Sequence, residues 1–279
     1  MGHAGARRSR ARRNDWTLGC VMAHPDDETF GVGGTLIRYV DEGIATHSLC
    51  LTEGEQGALG ETGRPIVTRE RLGPTRAGEL REAGRRMGLA SVTVLRWPDG
   101  GLAEAPADAV TAEIVSWLRR VRPDVVITWG PDGGYGHPDH IAAGLRAQAG
   151  IEIAATEARP DLGRPHRVHR CYGYVIAAEA LDGLGDIYPG FIDYMKTLAV
   201  KPQRWTRDRL GAVIDQGPYL ERKLHAMEAH QTQASDLRVW RAALQRGSAL
   251  FREDVFIRVF PDPGGELEHD LFAGLRAPA

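Results

Sequence analysis

The sequence is poor in cysteine, in net charge and in long apolar runs, and each shortage excludes something. Three cysteines, Cys20, Cys50 and Cys171, stand among 279 residues. Each lies in an apolar, strand-like run and none forms a Cys-x-x-Cys pair. They read as buried, reduced thiols of a cytoplasmic protein, not as a disulfide framework. The formal net charge is −2, which gives no overall attraction for nucleic acid. The exception is the extreme N-terminus, where Arg7, Arg8, Arg10, Arg12 and Arg13 crowd together. Residues 1–15 are expected to be a flexible basic arm. No apolar segment separates this arm from Trp16, so a secretory signal is not expected. No run approaches the length of a membrane span, so no membrane association is expected either.

Hydrophobic residues make up 42% of the chain and charged residues 26%, enough for a sizeable core in one large or two small domains. Apolar runs at Trp16–Met22, Thr46–Thr52, Val92–Leu95, Val125–Trp129 and Cys171–Ala177 read as five strands. Between them lie helical patterns over Gly33–Glu42, Thr68–Met87, Ala107–Val121 and from Pro138 to Ala149, with Gly73-Pro74 a candidate interruption of the second. Pro138 suits a first helical turn. Strands alternating with helices predict an α/β Rossmann-like three-layer sandwich with a mostly parallel sheet and right-handed crossovers. The expected strand order is 3-2-1-4-5. After Ala180 the pattern weakens: a short strand near Leu210–Ile214, a helix over Pro218–Gln233 and a final strand over Glu253–Phe260. Residues 16–180 are expected to form the catalytic core, and residues 181–279 a C-terminal cap completing the same domain.

Two charged loops organise this chain. Ala23-His24-Pro25-Asp26-Asp27-Glu28 follows the first strand, and Tyr135-Gly136-His137-Pro138-Asp139-His140 follows the fourth. Ions at strand ends are costly to bury unless paired or metal-bound. In the expected order strands 1 and 4 are neighbours at the switch point where open α/β sheets bind ligands. The two loops are therefore expected to meet and hold one catalytic metal ion. Its donors are drawn from His24, Asp26, Asp27, Glu28, His137, Asp139 and His140; two histidines and one carboxylate suffice for zinc with an open position. A nucleotide reading of Gly31-Val32-Gly33-Gly34 fails because Leu36 stands where a third glycine belongs. His24-x-Asp26 with a distant histidine also fits a non-haem iron triad, but the βα alternation argues against the all-β barrels that carry it.

The two loops resemble the motifs of the LmbE / PIG-L family of zinc-dependent de-N-acetylases. The resemblance extends to Thr52-Glu53-Gly54-Glu55, to Arg76 with Glu79, to Trp97-Pro98-Asp99-Gly100 and to Ala229-His230-Gln231-Thr232-Gln233, where Thr232 replaces the family's serine. It implies that His24, Asp27 and His140 bind Zn2+, with Fe2+ or Co2+ able to use the same donors. It implies that Asp26 is the general base and that His137 is a protonated group stabilising the oxyanion or assisting amine departure. Asp139 would orient a histidine, and Tyr135 would help polarise the carbonyl. Arg76, Asp99, Glu55 and His230 would contact substrate. The implied function is hydrolysis of the N-acetyl group of an N-acetylglucosamine-type sugar or glycoconjugate, a small-molecule amino-sugar substrate. The alternatives are an amidase acting on a larger thiol-sugar conjugate, and a metal- or sugar-binding protein without turnover. Oligomeric state is left open, a homo-oligomer included.

Overall fold

A computed structural model of the chain describes residues 16–61, 64–248, 251–261 and 265–276. The basic arm expected over residues 1–15 lies outside them. The chain opens with β1 (Thr17–Met22), a single turn α1 (Asp27–Phe30), α2 (Gly33–Asp41) and β2 (Ala45–Thr52). A two-rung hairpin, β3 (Gly60–Glu61) and β4 (Arg64–Pro65), precedes α3 (Arg69–Met87) and β5 (Ser91–Trp97). Then come α4 (Ala107–Val121), β6 (Val125–Trp129), the kinked turn α5 (Gly133–Gly136), α6 (Pro138–Ala154) and β7 (Arg170–Val175). The remainder holds α7 (Ala178–Ile187), α8 (Pro189–Thr197), β8 (Ala212–Asp215), α9 (Leu220–Met227), α10 (Ala234–Gln245) and β9 (Glu253–Phe260).

The main sheet runs β5-β2-β1-β6-β7-β9-β8. Its first five strands are parallel and reproduce the 3-2-1-4-5 order expected from the sequence, while β9 is antiparallel to both β7 and β8. All five residues of β6 are buried, as are five of the six in β1. Such continuous apolar strands belong to the middle of a sheet covered on both faces. Helices α4 and α6 pack together against β1 and β6, while α2, α3 and α9 form the other layer. The core includes Leu18, Val21, Leu36, Ile37, Leu49, Ile114, Leu118 and Val126.

Three local expectations change. Helix α3 runs unbroken through Gly73-Pro74, with Pro74 in its second turn, where the proline costs one hydrogen bond near the helix start. The helix expected over Pro218–Gln233 is shorter: α9 stops at Met227 and a separate 3-10 turn spans Gln231–Gln233. Helices α7, α8 and α10 appear where the sequence pattern was weak, and Ala180 falls inside α7. No helix among the described residues is long and apolar enough to cross a membrane.

Candidate metal centre and active site

The register of β1 beside β6 places their carboxyl ends together, so the loops they launch face one another. In the first loop the Asp27 carboxylate folds back onto its own strand. Its Oδ2 accepts the N–H groups of Ala23 at 3.2 Å and His24 at 2.9 Å, and the indole N–H of Trp129 at 3.2 Å. In the second loop Gly133 and Gly134 take φ of +59° and +76°, turning the chain so that α6 starts beneath β1. A side chain at Gly133 would stand 2.8 Å from the His140 Cβ and 3.0 Å from the Ile141 nitrogen, so only glycine fits there. Asp132 holds this turn by accepting the Gly134 N–H at 3.2 Å. Its other oxygen accepts the Trp205 indole N–H at 2.9 Å and the Gln203 N–H at 2.7 Å, which ties the C-terminal segment to the loop.

Three donors converge from these loops. His24 Nδ1 lies 3.1 Å from His140 Nε2 and 3.6 Å from Asp27 Oδ2, and His140 Nε2 lies 3.4 Å from the other carboxylate oxygen, Asp27 Oδ1. A tetrahedral zinc site with arms of roughly 2.0–2.1 Å has edges of about 3.3–3.4 Å, so these separations, with the Asp27 carboxylate spanning the two histidines through its two oxygens, are of the size such an ion needs. The outer edges of both imidazoles are engaged. His140 Nδ1 meets the Gly133 carbonyl at 3.0 Å. His24 Nε2 meets Asp99 at 3.1 Å and Asp139 at 3.3 Å. With protons assigned to those outer nitrogens, both inner nitrogens present lone pairs towards each other and towards a carboxylate, an arrangement that calls for a cation between them. Burial disfavours charge on His24, but Asp139, Asp27 and Asp99 together hold its pKa well above the ordinary value. Asp27 is likewise buried, yet His140 and His24 hold it well below the usual carboxylate range.

Two other sets also bring donor atoms within 4.8 Å: His24, His137 and His140, and His24, Asp99 and Asp139. In the second of these the Asp139 carboxylate is engaged by the backbone through both oxygens. It accepts the N–H groups of Gly100 at 2.7 Å and Leu102 at 3.0 Å, which suits a group that orients His24. His137 stacks on His140 with ring centres 4.6 Å apart. Its Nδ1 accepts the Asp139 N–H at 3.2 Å, which puts the remaining proton on Nε2. Burial, then the fields of His140 and His24, push its pKa down to about 3, which opposes the protonated form expected from the sequence.

Asp26 stands beside the triangle without joining it. Burial raises its pKa, and Arg76 opposes that rise through an ion pair of 2.7 Å. Arg76 itself corrects a second expectation. It is buried, and its guanidinium is committed to Asp26, to the Gly54 carbonyl at 2.7 Å and to the Pro25 carbonyl at 3.5 Å. Its terminal nitrogens therefore position Asp26 and the first loop instead of meeting substrate. His230 corrects a third. It is fully buried, behind the loop, with Nε2 on the Thr29 hydroxyl at 3.1 Å, and it does not reach the cavity. Asp99 and Glu55 do lie together, Glu55 accepting the Asp99 N–H at 2.9 Å. Tyr135 is half-buried, with its ring 5.1 Å from that of His140.

A cavity of about 310 Å³ opens from Asp26, Asp27 and His140 and runs under α7, α8 and α10. Sequence reasoning missed most of its wall. Trp129, at the end of β6, stacks on His140 at 3.9 Å; an aromatic at a strand's carboxyl end, one turn before a metal-type motif, was the available signal. Phe191, Tyr188 and Trp240 come from the weakly patterned C-terminal segment. Also missed was Lys223, fully buried, whose ammonium donates to the Gly31 carbonyl at 3.0 Å and to Gln216 at 2.8 Å, with Asp254 at 3.7 Å.

Comparison with known proteins places this geometry. Residues 20–150 match the PIG-L family, described as GlcNAc-PI de-N-acetylase. A 1D-myo-inositol 2-acetamido-2-deoxy-alpha-D-glucopyranoside deacetylase from Rhodococcus opacus is 38% identical, over 77% of this chain and 80% of its own. Among solved structures, a conserved protein from Thermus thermophilus aligns with a TM-score of 0.61 at 27% identity, covering 88% of this chain and 94% of its own. An N,N'-diacetylchitobiose deacetylase from Pyrococcus horikoshii shares the fold with a TM-score of 0.63 at 20% identity, over 94% and 87% of the two chains. With both loops in place at the ends of β1 and β6, the chain belongs to the PIG-L (LmbE-like) family.

Proposed function

We propose that this protein is a zinc-dependent hydrolase that removes the N-acetyl group from an N-acetylglucosamine-type sugar conjugate. One observation carries the reading: a triangle of His24, Asp27 and His140 with edges of 3.1–3.6 Å stands beside a separate carboxylate, Asp26, that faces the same cavity. A metal site that only bound would have no use for that fourth group. A bound zinc ion supplies Lewis-acid polarisation of the amide carbonyl and lowers the pKa of water to about 7.

This chain's own residues do the rest. Asp26, fixed by Arg76, accepts a proton from the attacking water. The water oxygen bonds to the carbonyl carbon, the amide C–N bond breaks, and a proton passes to the departing nitrogen, leaving acetate and a primary amine. His137, as a neutral Nε2–H donor, serves the oxygen on which negative charge develops, with Tyr135 beside it. Asp139 and the Gly133 carbonyl hold the two ligand histidines in orientation. The named substrate of the Rhodococcus relative is an acetamido sugar joined to inositol, so a glucosaminide with a cyclitol or sugar aglycone is the first compound to assay.

The test is amine release from N-acetylglucosamine and its glycosides by metal-analysed protein, with and without chelator. Release that the chelator abolishes is expected. Asp26→Asn should keep one metal per chain and lose on the order of 10²–10⁴-fold in kcat. Undiminished turnover in that variant would remove Asp26 from the mechanism.

A further inference from the structure

We propose that the cavity beside Asp26 and Asp27 is an acyl-chain pocket, so that the enzyme removes, besides acetyl, longer N-acyl groups of about four to eight carbons. This rests on the amide-hydrolase reading above and specifies its substrate class. The cavity measures about 310 Å³. An apolar cavity of about 150 Å³ holds a benzene, so this one has room for roughly twice that, and an acetyl methyl needs only a small part of it.

The lining decides what belongs there. Away from the reactive end the wall includes Ile176, Leu184, Phe191, Val239, Trp240 and Ala243, beside the tyrosines Tyr188 and Tyr194, and Ile176, Leu184 and Ala243 belong to one apolar cluster with Phe191 and Trp240 packed on it. Sugar hydroxyls placed against the part formed by Ile176, Leu184, Val239 and Ala243 would lose water without gaining partners, at a cost of about 1–3 kcal/mol each. A methylene chain gains there. The other carboxylate on the wall, Asp236, receives the Tyr188 hydroxyl at 3.4 Å.

The opposite side of the donor triangle is polar. The His24 ring divides the two: its Nδ1 edge faces His140 and Asp27, and its Nε2 edge faces Asp99 at 3.1 Å. Asp99 accepts the Gln56 N–H at 2.8 Å and gives its own N–H to Glu55, in the loops that follow β2 and β5. An amide seated with its carbonyl at the triangle has two substituents to place. The nitrogen-borne sugar suits the side of Asp99 and Glu55, and the acyl chain suits the cavity. The chemistry is unchanged: water adds to the carbonyl carbon, the C–N bond breaks, and a fatty carboxylate and the amino sugar leave.

The experiment is a chain-length series on the metal-loaded full chain, N-acetyl, N-butyryl, N-hexanoyl and N-octanoyl glucosamine, read by amine release. Each buried methylene contributes about fourfold, so kcat/KM for the hexanoyl amide should exceed that for the acetyl amide at least tenfold. Leu184→Trp should lower the hexanoyl-to-acetyl ratio at least tenfold. Val239→Phe, a smaller intrusion, should lower it in the same direction should the tryptophan variant misfold. A flat or falling series, with acetyl cleaved, overturns this inference alone. So does equal slowing of both amides in the filled variants, which would place the sugar in the cavity. Hydrolysis of none of the four removes the amide-hydrolase reading and this inference with it.

Discussion

Arg76 is where substrate contact and positioning make opposite forecasts. An arginine that binds substrate supports KM, whereas one that positions a base supports kcat. The structure places Arg76 on α3, buried, with its guanidinium bonded to the Asp26 carboxylate at 2.7 Å and to the Gly54 carbonyl at 2.7 Å. Arg76→Met removes both bonds while keeping most of the apolar stem. Asp26 is then free to rotate, and a displacement of about 1 Å at a reacting group costs on the order of 10²-fold, or about 2.7 kcal/mol of barrier. Stripping one partner from a fully buried pair costs about 3–5 kcal/mol. Here the Asp26 side chain is 19% exposed, so a smaller loss is expected, seen as a Tm drop of several degrees. The assay is steady-state kinetics on the best N-acetylglucosaminide, with metal content and near-ultraviolet circular dichroism on the same sample. We expect kcat to fall about a hundredfold, KM to stay within about twofold and metal to remain at one per chain. Arg76→Lys should recover part of kcat, since a point charge reaches Asp26 but cannot also span to the Gly54 carbonyl. A KM raised tenfold or more at unchanged kcat would refute the positioning role and restore the substrate contact.

Two further predictions test the supports of the site. His230 is fully buried, and burial, then the charges of Arg76 and Arg86, push its pKa down to about 3. Below its ordinary pKa of about 6.5 the unfolded chain takes up a proton there that the folded chain refuses, so stability is present at neutral pH and is lost as pH falls. The linkage amounts to about 1.4 kcal/mol between pH 7.5 and 5.5. Urea midpoints of the protein and of His230→Gln across that range should differ in slope by this amount, and parallel curves would show that His230 is not held neutral. Gly133→Ala would set a methyl 2.8 Å from the His140 Cβ at a φ of +59°. We expect metal content to fall well below one per chain while the far-ultraviolet spectrum is kept; full retention of metal would mean that the turn does not set the position of His140.

The parts of this protein that were legible in the sequence are those whose physics is local. Strands β1 and β6 are continuous apolar runs because parallel strands in mid-sheet are buried on both faces, and each ends in a loop whose charged residues stand out against that background. Their adjacency followed from the strand order, and the donors His24, Asp27 and His140 stand within 3.6 Å of one another. Helices α7, α8 and α10 over the cavity were illegible for the converse reason. Helix α7 contains Gly183 and Gly185, which weaken the helical signal. In α10 the apolar set Leu237, Trp240 and Leu244 has helical spacing but sits among five polar or charged neighbours. Arg76 and His230 were misplaced because a motif gives a residue's identity and not its depth. Both side chains turn inward, one onto Asp26 and the other onto Thr29, and only tertiary packing decides that.

The first loop and the C-terminal segment are also joined by a device that neither pattern reveals. Lys223 on α9 donates to the carbonyl of Gly31, one residue past the turn that begins with Asp27, and lies 3.7 Å from Asp254 on β9. Asp254 in turn accepts the N–H and hydroxyl of Thr35 on α2, at 3.0 and 2.7 Å. Burial pushes the Lys223 pKa down and the Asp254 pKa up, each opposed by the other's charge. A buried pair of this kind adds little stability over an apolar substitute, because desolvation consumes most of the attraction. What it does supply is geometry. It fixes the C-terminal strand and helix to the end of the first loop at one register, so that α10, which follows α9 and carries Val239 and Trp240, meets the cavity at a set distance from Asp26. The C-terminal segment thus lines the cavity while the loops after β1 and β6 carry His24, Asp27 and His140, and Lys223 with Asp254 is the joint between the two.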